Sequence, residues 1–205
     1  ITAGLAPIRT SVDNVYQHTF DRMKERVEEY YSWFPEDAEL ATRIAEHLRT
    51  HKEYLPTGER LTDHRFQMAG HFLGGRWRER GLHYFLENAF AEGNDHLSDQ
   101  FLTAMGAEVT FQANPLYALM HETIYADGPS DGVLPGIPGY TISPSPAPTN
   151  WSAARVAASR PEFAPDADRL LFTGEHIFPW YYEEDPSLRP LAEVANILAE
   201  KKDWG

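Results

Sequence analysis

The chain has 205 residues, a formal charge of −13 and no cysteine. The charge disfavours a nucleic-acid partner, which would need clustered Lys and Arg, and favours a cationic ligand such as an amine; disulfides are excluded. With 42% hydrophobic and 13% aromatic residues the composition is that of a globular chain rather than a disordered one, and no run reaches the roughly 18 apolar residues of a membrane span.

The opening "ITAGLAPIRT" predicts a short strand running into a turn at residues 1–5, and it has neither the basic nor the long apolar region of a signal peptide. Val12, Val15, Tyr16, Thr19, Phe20, Met23, Val27, Tyr30 and Tyr31 then recur at helical spacing and predict a long amphipathic helix over 12–33. Pro35, Glu36 and Asp37 suit the first turn of a second helix, with Leu40, Ile44, Leu48 and Leu55 as its apolar stripe and Pro56 and Gly58 as its end.

Helical patterning resumes at about Thr62, breaks at Gly74 and Gly75, and restarts at Trp77 to run until Gly93. Further helices are predicted over Leu97–Met105, Pro115–Tyr125, Trp151–Ser159 with Asn150 as N-cap, and Leu188–Lys201. A second short strand fits 169–173. The fold class expected is mainly α.

Residues 128–149, "GPSDGVLPGIPGYTISPSPAPT", are too rich in Pro and Gly for helix or central strand, and an extended loop or linker is expected there. Both ends of the chain are abrupt, as in a piece of something longer.

Nucleophilic chemistry is not encoded in a recognisable form. No serine lies in G-x-S-x-G, no thiol exists, and no glycine-rich phosphate loop opens a helix. His47 with His51, and His83 with Glu87, are spaced to share a helix face as metal ligands could, but no H-E-x-x-H occurs and no metal is expected.

Three acids stand out. Glu87 in "LHYFLENAF", Glu122 in "ALMHETIYADG" and Glu175 in "LLFTGEHIFPW" are each set among large apolar side chains. A buried carboxylate needs a cation or good donors. The plain alternative is that each pairs with an arginine such as Arg65, Arg76, Arg78 or Arg80, or faces water; three together favour a shared site.

The segments "ITAGLAPI", "VYQHTFDRMKERVEEYYSWFPED", "LPTGERLTDHRFQ", "LHYFLENAF", "NPLYALMHETIYADG", "NWSAARV" and "FTGEHIFPWYYEEDPSLRPLAEVANILAE" resemble, in order, the middle portion of the larger bacterial prolyl aminopeptidases (proline iminopeptidases), which are α/β-hydrolases. The resemblance implies the helical cap, or lid, of such an enzyme: residues 1–10 a remnant of a core strand and turn, 11–127 helical cap, 128–149 an insertion, and 150–205 the remainder of the cap leading back to the core.

In that family a Ser-His-Asp triad and an oxyanion loop lie in the core, outside the matched region. The resemblance therefore implies a chain with no catalytic residues and no cofactor, inactive alone. Its role would be to select peptides or amides with a free N-terminal proline for the missing hydrolase core. Family caps hold the substrate ammonium through glutamates, so Glu87, Glu122 and Glu175 are the expected ligands, with Tyr84, Phe85 and Tyr125 enclosing the ring. A cytoplasmic location is expected, with no nucleic-acid or membrane partner and with self-association through an exposed cap surface. The alternative is a non-enzymatic helical binding or scaffold protein derived from such a cap.

Overall fold

The computed structural model describes residues 12–75, 78–93, 96–121 and 151–200. It divides into two compact units. One contains residues 20–110 and 159–176; the other contains the described residues among 1–19, 111–158 and 177–205. Among the described residues the chain is mainly α-helical, with a single two-stranded hairpin.

Helix α1 (Val12–Trp33) forms as its apolar spacing dictates. Phe20, Val27, Tyr30 and Tyr31 are buried in the first unit, while the intervening Arg, Lys and Glu stay on the wet face. One residue later α2 (Pro35–Thr50) starts, with Pro35 in its first turn and Glu36 and Asp37 beside its unpaired backbone N–H groups.

Helix α2 stops at Thr50, earlier than its apolar stripe suggests, and His51 is extended. Leu55 is buried, but it belongs to a turn between β1 (Glu53–Tyr54) and β2 (Arg60–Leu61), which pair antiparallel. The cause is local: Pro56 disfavours a helical conformation at Leu55, and Gly58 takes the left-handed φ of 95° that closes the turn.

Thr62 then caps α3 (Asp63–Phe66), accepting from the Arg65 backbone N–H, and the chain tightens into a 3-10 helix over Gln67–Gly74. Gly70 sits at its closest approach. A Cβ there would lie 2.5 Å from the Phe172 Cβ and 2.9 Å from the Gly174 backbone nitrogen, so only glycine fits.

Helix α4 (Glu79–Glu87) packs on this 3-10 helix, on α2 and on α5 (Asp99–Val109), burying Leu82 and Leu86. It ends well before Gly93, because Asn88 folds back onto the Tyr84 carbonyl and Phe90 and Leu97 form an antiparallel bridge. Ser98 caps α5 by accepting from the Phe101 N–H at 3.1 Å.

The extended stretch 170–173 is not a strand, which corrects the expectation for 169–173. Much of its backbone is paired with side chains and a helix carbonyl instead. Tyr31 Oη donates to the Leu170 carbonyl, Thr42 Oγ1 accepts from the Leu170 N–H, and the buried Gln67 Nε2 donates to the Leu171 carbonyl. Thr173 N–H donates to the Gln67 carbonyl. Aromatic rings fill the core of this unit: Phe66, Phe101 and Phe172 meet with Phe85 and Tyr31 at centroid distances of 4.8–6.3 Å.

The second unit holds α6 (Pro115–His121), α7 (Ser152–Ala158), α8 (Tyr181–Glu184) and α9 (Ala192–Glu200), together with the start of α1. Arg155 of α7 is paired with Asp13 of α1. The expected helix over Leu188–Lys201 is divided, with a 3-10 turn at Arg189–Leu191 ahead of α9, because Pro190 cannot donate to a continuous ladder. Residues 1–10 and 128–149 lie outside the described residues, as do Glu122, Tyr125 and Asn150.

Candidate functional site

The expectation that the chosen acids are buried among aromatics does not hold for two of them. Glu87 and Glu175 are both exposed. The spacing that carries Leu82 and Leu86 into the core turns Glu87 outward at the end of α4, and Glu175 follows the buried Gly174, whose φ of 66° turns the chain there. Glu122, like Tyr125, lies outside the described residues.

The buried acid of this region is Asp37, only 1% exposed, in the first turn of α2. The Tyr30 hydroxyl donates to its Oδ2. His83 Nδ1, from α4, lies 3.0 Å from Oδ2 and 3.2 Å from Oδ1. The other ring nitrogen of His83, Nε2, lies 3.4 Å from Glu87 Oε1. A continuous polar chain thus runs from the interior, Tyr30 to Asp37 to His83, and ends on an exposed carboxylate.

The imidazole is held on its flat side as well. Phe34, in the turn between α1 and α2, stacks on it at 4.3 Å and 18°. Burial of the Tyr30 ring, helped by its hydrogen bond to Asp37 and the negative charge there, pushes its hydroxyl far above the ordinary tyrosine value. Tyr30 therefore stays a donor to Asp37 over the whole range in which the protein would work.

Of the expected ring-enclosing residues, Tyr84 stands beside Glu87. It is 61% exposed, three residues earlier on α4, and its ring centroid is 5.5 Å from that of His83. Phe85 is turned away: two residues apart on a helix places it nearly opposite Glu87, and it packs against Phe72 and Phe101.

The plain alternative holds for Glu87 and Glu175 in its second form, since both face water; among the described residues the charged partner of Glu87 is a histidine and not an arginine, and Arg76 lies outside the described residues. Arg65 is instead buried against Glu59 at 3.4 Å, and Arg78 lies over the Phe72 ring. The His47–His51 pair stacks ring on ring at 4.3 Å, and His47 Nε2 meets Glu53 Oε1 at 2.6 Å. Among the described residues no group of three or more His, Asp and Glu could hold a metal, and no helix is long and apolar enough to cross a membrane.

A hydroxyl, an imidazole and a carboxylate also meet at Thr62, His64 and Asp63, with Thr62 Oγ1 3.2 Å from His64 Nε2 and His64 Nδ1 3.5 Å from Asp63 Oδ1. This is helix-capping geometry. The Thr62 oxygen is the acceptor for the Arg65 N–H. Burial pushes the Asp63 carboxyl up, but its hydrogen bonds from His64 and the charge of Arg49 outweigh this and hold it below the usual carboxylate range.

Asp37 was the residue that sequence patterning passed over. It read as an ordinary first-turn acid, which it also is; nothing local marks the partner 46 positions away in the chain.

Two known proteins match this chain along its whole length. The chain is 37% identical over 206 aligned positions to a proline iminopeptidase of Aeromonas sobria, and 29% identical over 211 to the proline iminopeptidase aneH of Aspergillus aculeatus. The chain resembles a segment of proline iminopeptidase. All of it is covered in both alignments, yet it spans only 44% and 42% of the length of these relatives. No family model matches.

Proposed function

We propose that this chain is the substrate-selecting cap of a proline-iminopeptidase-like serine hydrolase that releases N-terminal proline from peptides, and that it is inactive without the rest of such an enzyme. The observation that carries the proposal is the exposed pair Tyr84 and Glu87 on one face of α4, backed by His83. A carboxylate beside an open aromatic ring suits a pyrrolidine ring that bears a positive charge: the acid accepts the N–H donors and the ring covers the methylenes. Full-length relatives are named proline iminopeptidases. Glu122, Glu175 and Tyr125 are also proposed as substrate contacts, and Phe85 supports α4 from behind.

The test is equilibrium binding of L-prolinamide against N-acetyl-L-prolinamide by NMR titration of the 205-residue chain. The cationic ligand is expected to bind more tightly, and Glu87→Gln to remove most of that preference, a loss of about 1.5–3 kcal/mol for a charge-assisted hydrogen bond. Equal binding of the two ligands by the unaltered chain would refute the site. Turnover of a proline arylamide by the chain alone, abolished by replacing one of its serines, would refute the inactivity.

A further inference from the structure

An exposed glutamate is a poor ligand unless something holds it. Its side chain samples many rotamers, and fixing one on binding costs about 1.5–2 kcal/mol of conformational free energy. An ordinary i,i+4 contact on a helix surface returns only about 0.3–0.5 kcal/mol and does not fix the rotamer. Glu87 makes such a contact, to His83, but His83 is not an ordinary surface residue. Its side chain is 16% exposed, and its ring is restrained along each direction in which a free ring would move.

Rotation about the ring's long axis is blocked by Phe34, stacked at 4.3 Å. Swing of the ring is opposed by Asp37, both of whose oxygens lie within 3.2 Å of Nδ1. Asp37 is anchored in turn by the Tyr30 hydroxyl from α1 and by its place in the first turn of α2. The direction of Nε2 is thus set by two helices other than the one that carries Glu87.

Resting on the reading of Glu87 given above, we propose that His83 and Asp37 are positioning residues that hold the Glu87 carboxylate in one orientation for a cationic N-terminus. His83 Nε2 faces one oxygen of Glu87, Oε1, at 3.4 Å, and the second oxygen is the one offered to the ligand.

The arrangement also sets the charge that an incoming ammonium meets. Whenever His83 carries both protons, the imidazolium stands between Asp37 at Nδ1 and Glu87 at Nε2, and the three side chains together carry a single negative charge. Whenever His83 is neutral it can donate to only one of the two carboxylates, and Glu87 is less firmly held.

The experiment is the same pair of ligands, L-prolinamide and N-acetyl-L-prolinamide, titrated by NMR against the 205-residue chain and its variants Glu87→Gln, His83→Gln and Asp37→Asn. Glutamine at 83 can donate to one carboxylate but cannot bridge both. His83→Gln and Asp37→Asn are expected to weaken prolinamide about 3- to 10-fold, with the N-acetyl ligand unchanged, although neither side chain is placed to touch the ligand. If Asp37→Asn fails to fold, His83→Gln, at a partly exposed position, still decides.

Prolinamide affinity that stays at the wild-type level in His83→Gln, while Glu87→Gln loses it, overturns the positioning role and leaves the amine site intact. Equal weakening of both ligands makes the pair a structural brace and overturns it too. Wild-type affinity in Glu87→Gln is a different failure, that of the amine site itself.

Discussion

The two units each bury an aspartate to 1% exposure, and the two are built for different ends. Asp185, after α8, accepts from three neutral donors: Phe111 N–H at 2.8 Å on Oδ2, and Ser187 N–H at 2.8 Å and Ser187 hydroxyl at 2.6 Å on Oδ1. These contacts pin a turn. Asp37 has the Tyr30 hydroxyl and an imidazole, and the imidazole leads to an exposed acid. Burial alone therefore does not tell an acid whose contacts close a turn from one whose contacts lead to an exposed carboxylate; the identity of the partners and where they lead does.

The largest effect is expected where the contrast is sharpest. Asp185→Ala strands three donors, two of them backbone or side-chain groups of Ser187, and should cost about 3–4 kcal/mol of unfolding free energy by denaturant melt. Asp37→Ala should cost less, about 2 kcal/mol, because His83 is partly exposed and can turn to water while only the Tyr30 hydroxyl is left without its acceptor. If the order is reversed, the distinction between the two aspartates is wrong.

The next prediction separates them by pH. Burial holds the Tyr30 and Tyr31 hydroxyls above the ordinary value of 10.0. The unfolded chain would lose these protons above that pH while the folded chain keeps them, so their contribution is fully present below 10.0 and is lost as pH rises beyond it. Each such tyrosine steepens the loss by about 1.4 kcal/mol per pH unit. Tyr30→Phe should cost about 1 kcal/mol at neutral pH and halve the alkaline slope that the two share, while Asp185→Asn should leave that slope unchanged. Melts across the alkaline range, with phenolate absorbance as a second readout, decide it.

How much of this was legible depends on the range of the physics. The apolar spacing of Val12 through Tyr31 and the Pro35-Glu36-Asp37 start of α2 are local, and the helices follow from them. The hairpin at 53–61 was masked by Leu55, which reads as the next step of a helical stripe, although Pro56 and Gly58 carried the opposing signal. The extended stretch 170–173 looks like a strand locally, but its partners are Tyr31, Thr42 and Gln67, more than a hundred positions away. Glu87 could be singled out from its neighbours, but its exposure could not, because the aromatic residues around it in sequence point around the whole helix. Phe85 faces inward while Tyr84 faces out. Asp37 gained its meaning only when α4 was folded against α2.

The smallest expected effect bears on the exposed end of the chain of contacts. Glu87 is half-exposed, and its contact with His83 at 3.4 Å is of the surface i,i+4 kind. Glu87→Gln should therefore change stability by no more than about 0.5 kcal/mol at low ionic strength, and the change should shrink in high salt as surface charges are screened. Asp185→Asn, which alters buried bonds to backbone, should cost more. Chemical melts of both variants at low and high salt make the comparison. A cost above about 1 kcal/mol for Glu87→Gln, unchanged by salt, would mean that Glu87 is part of the structural network like Asp185. An exposed acid that contributes almost nothing to folding, yet is held by a partly exposed histidine that a buried aspartate orients, is what a binding role for Glu87 requires.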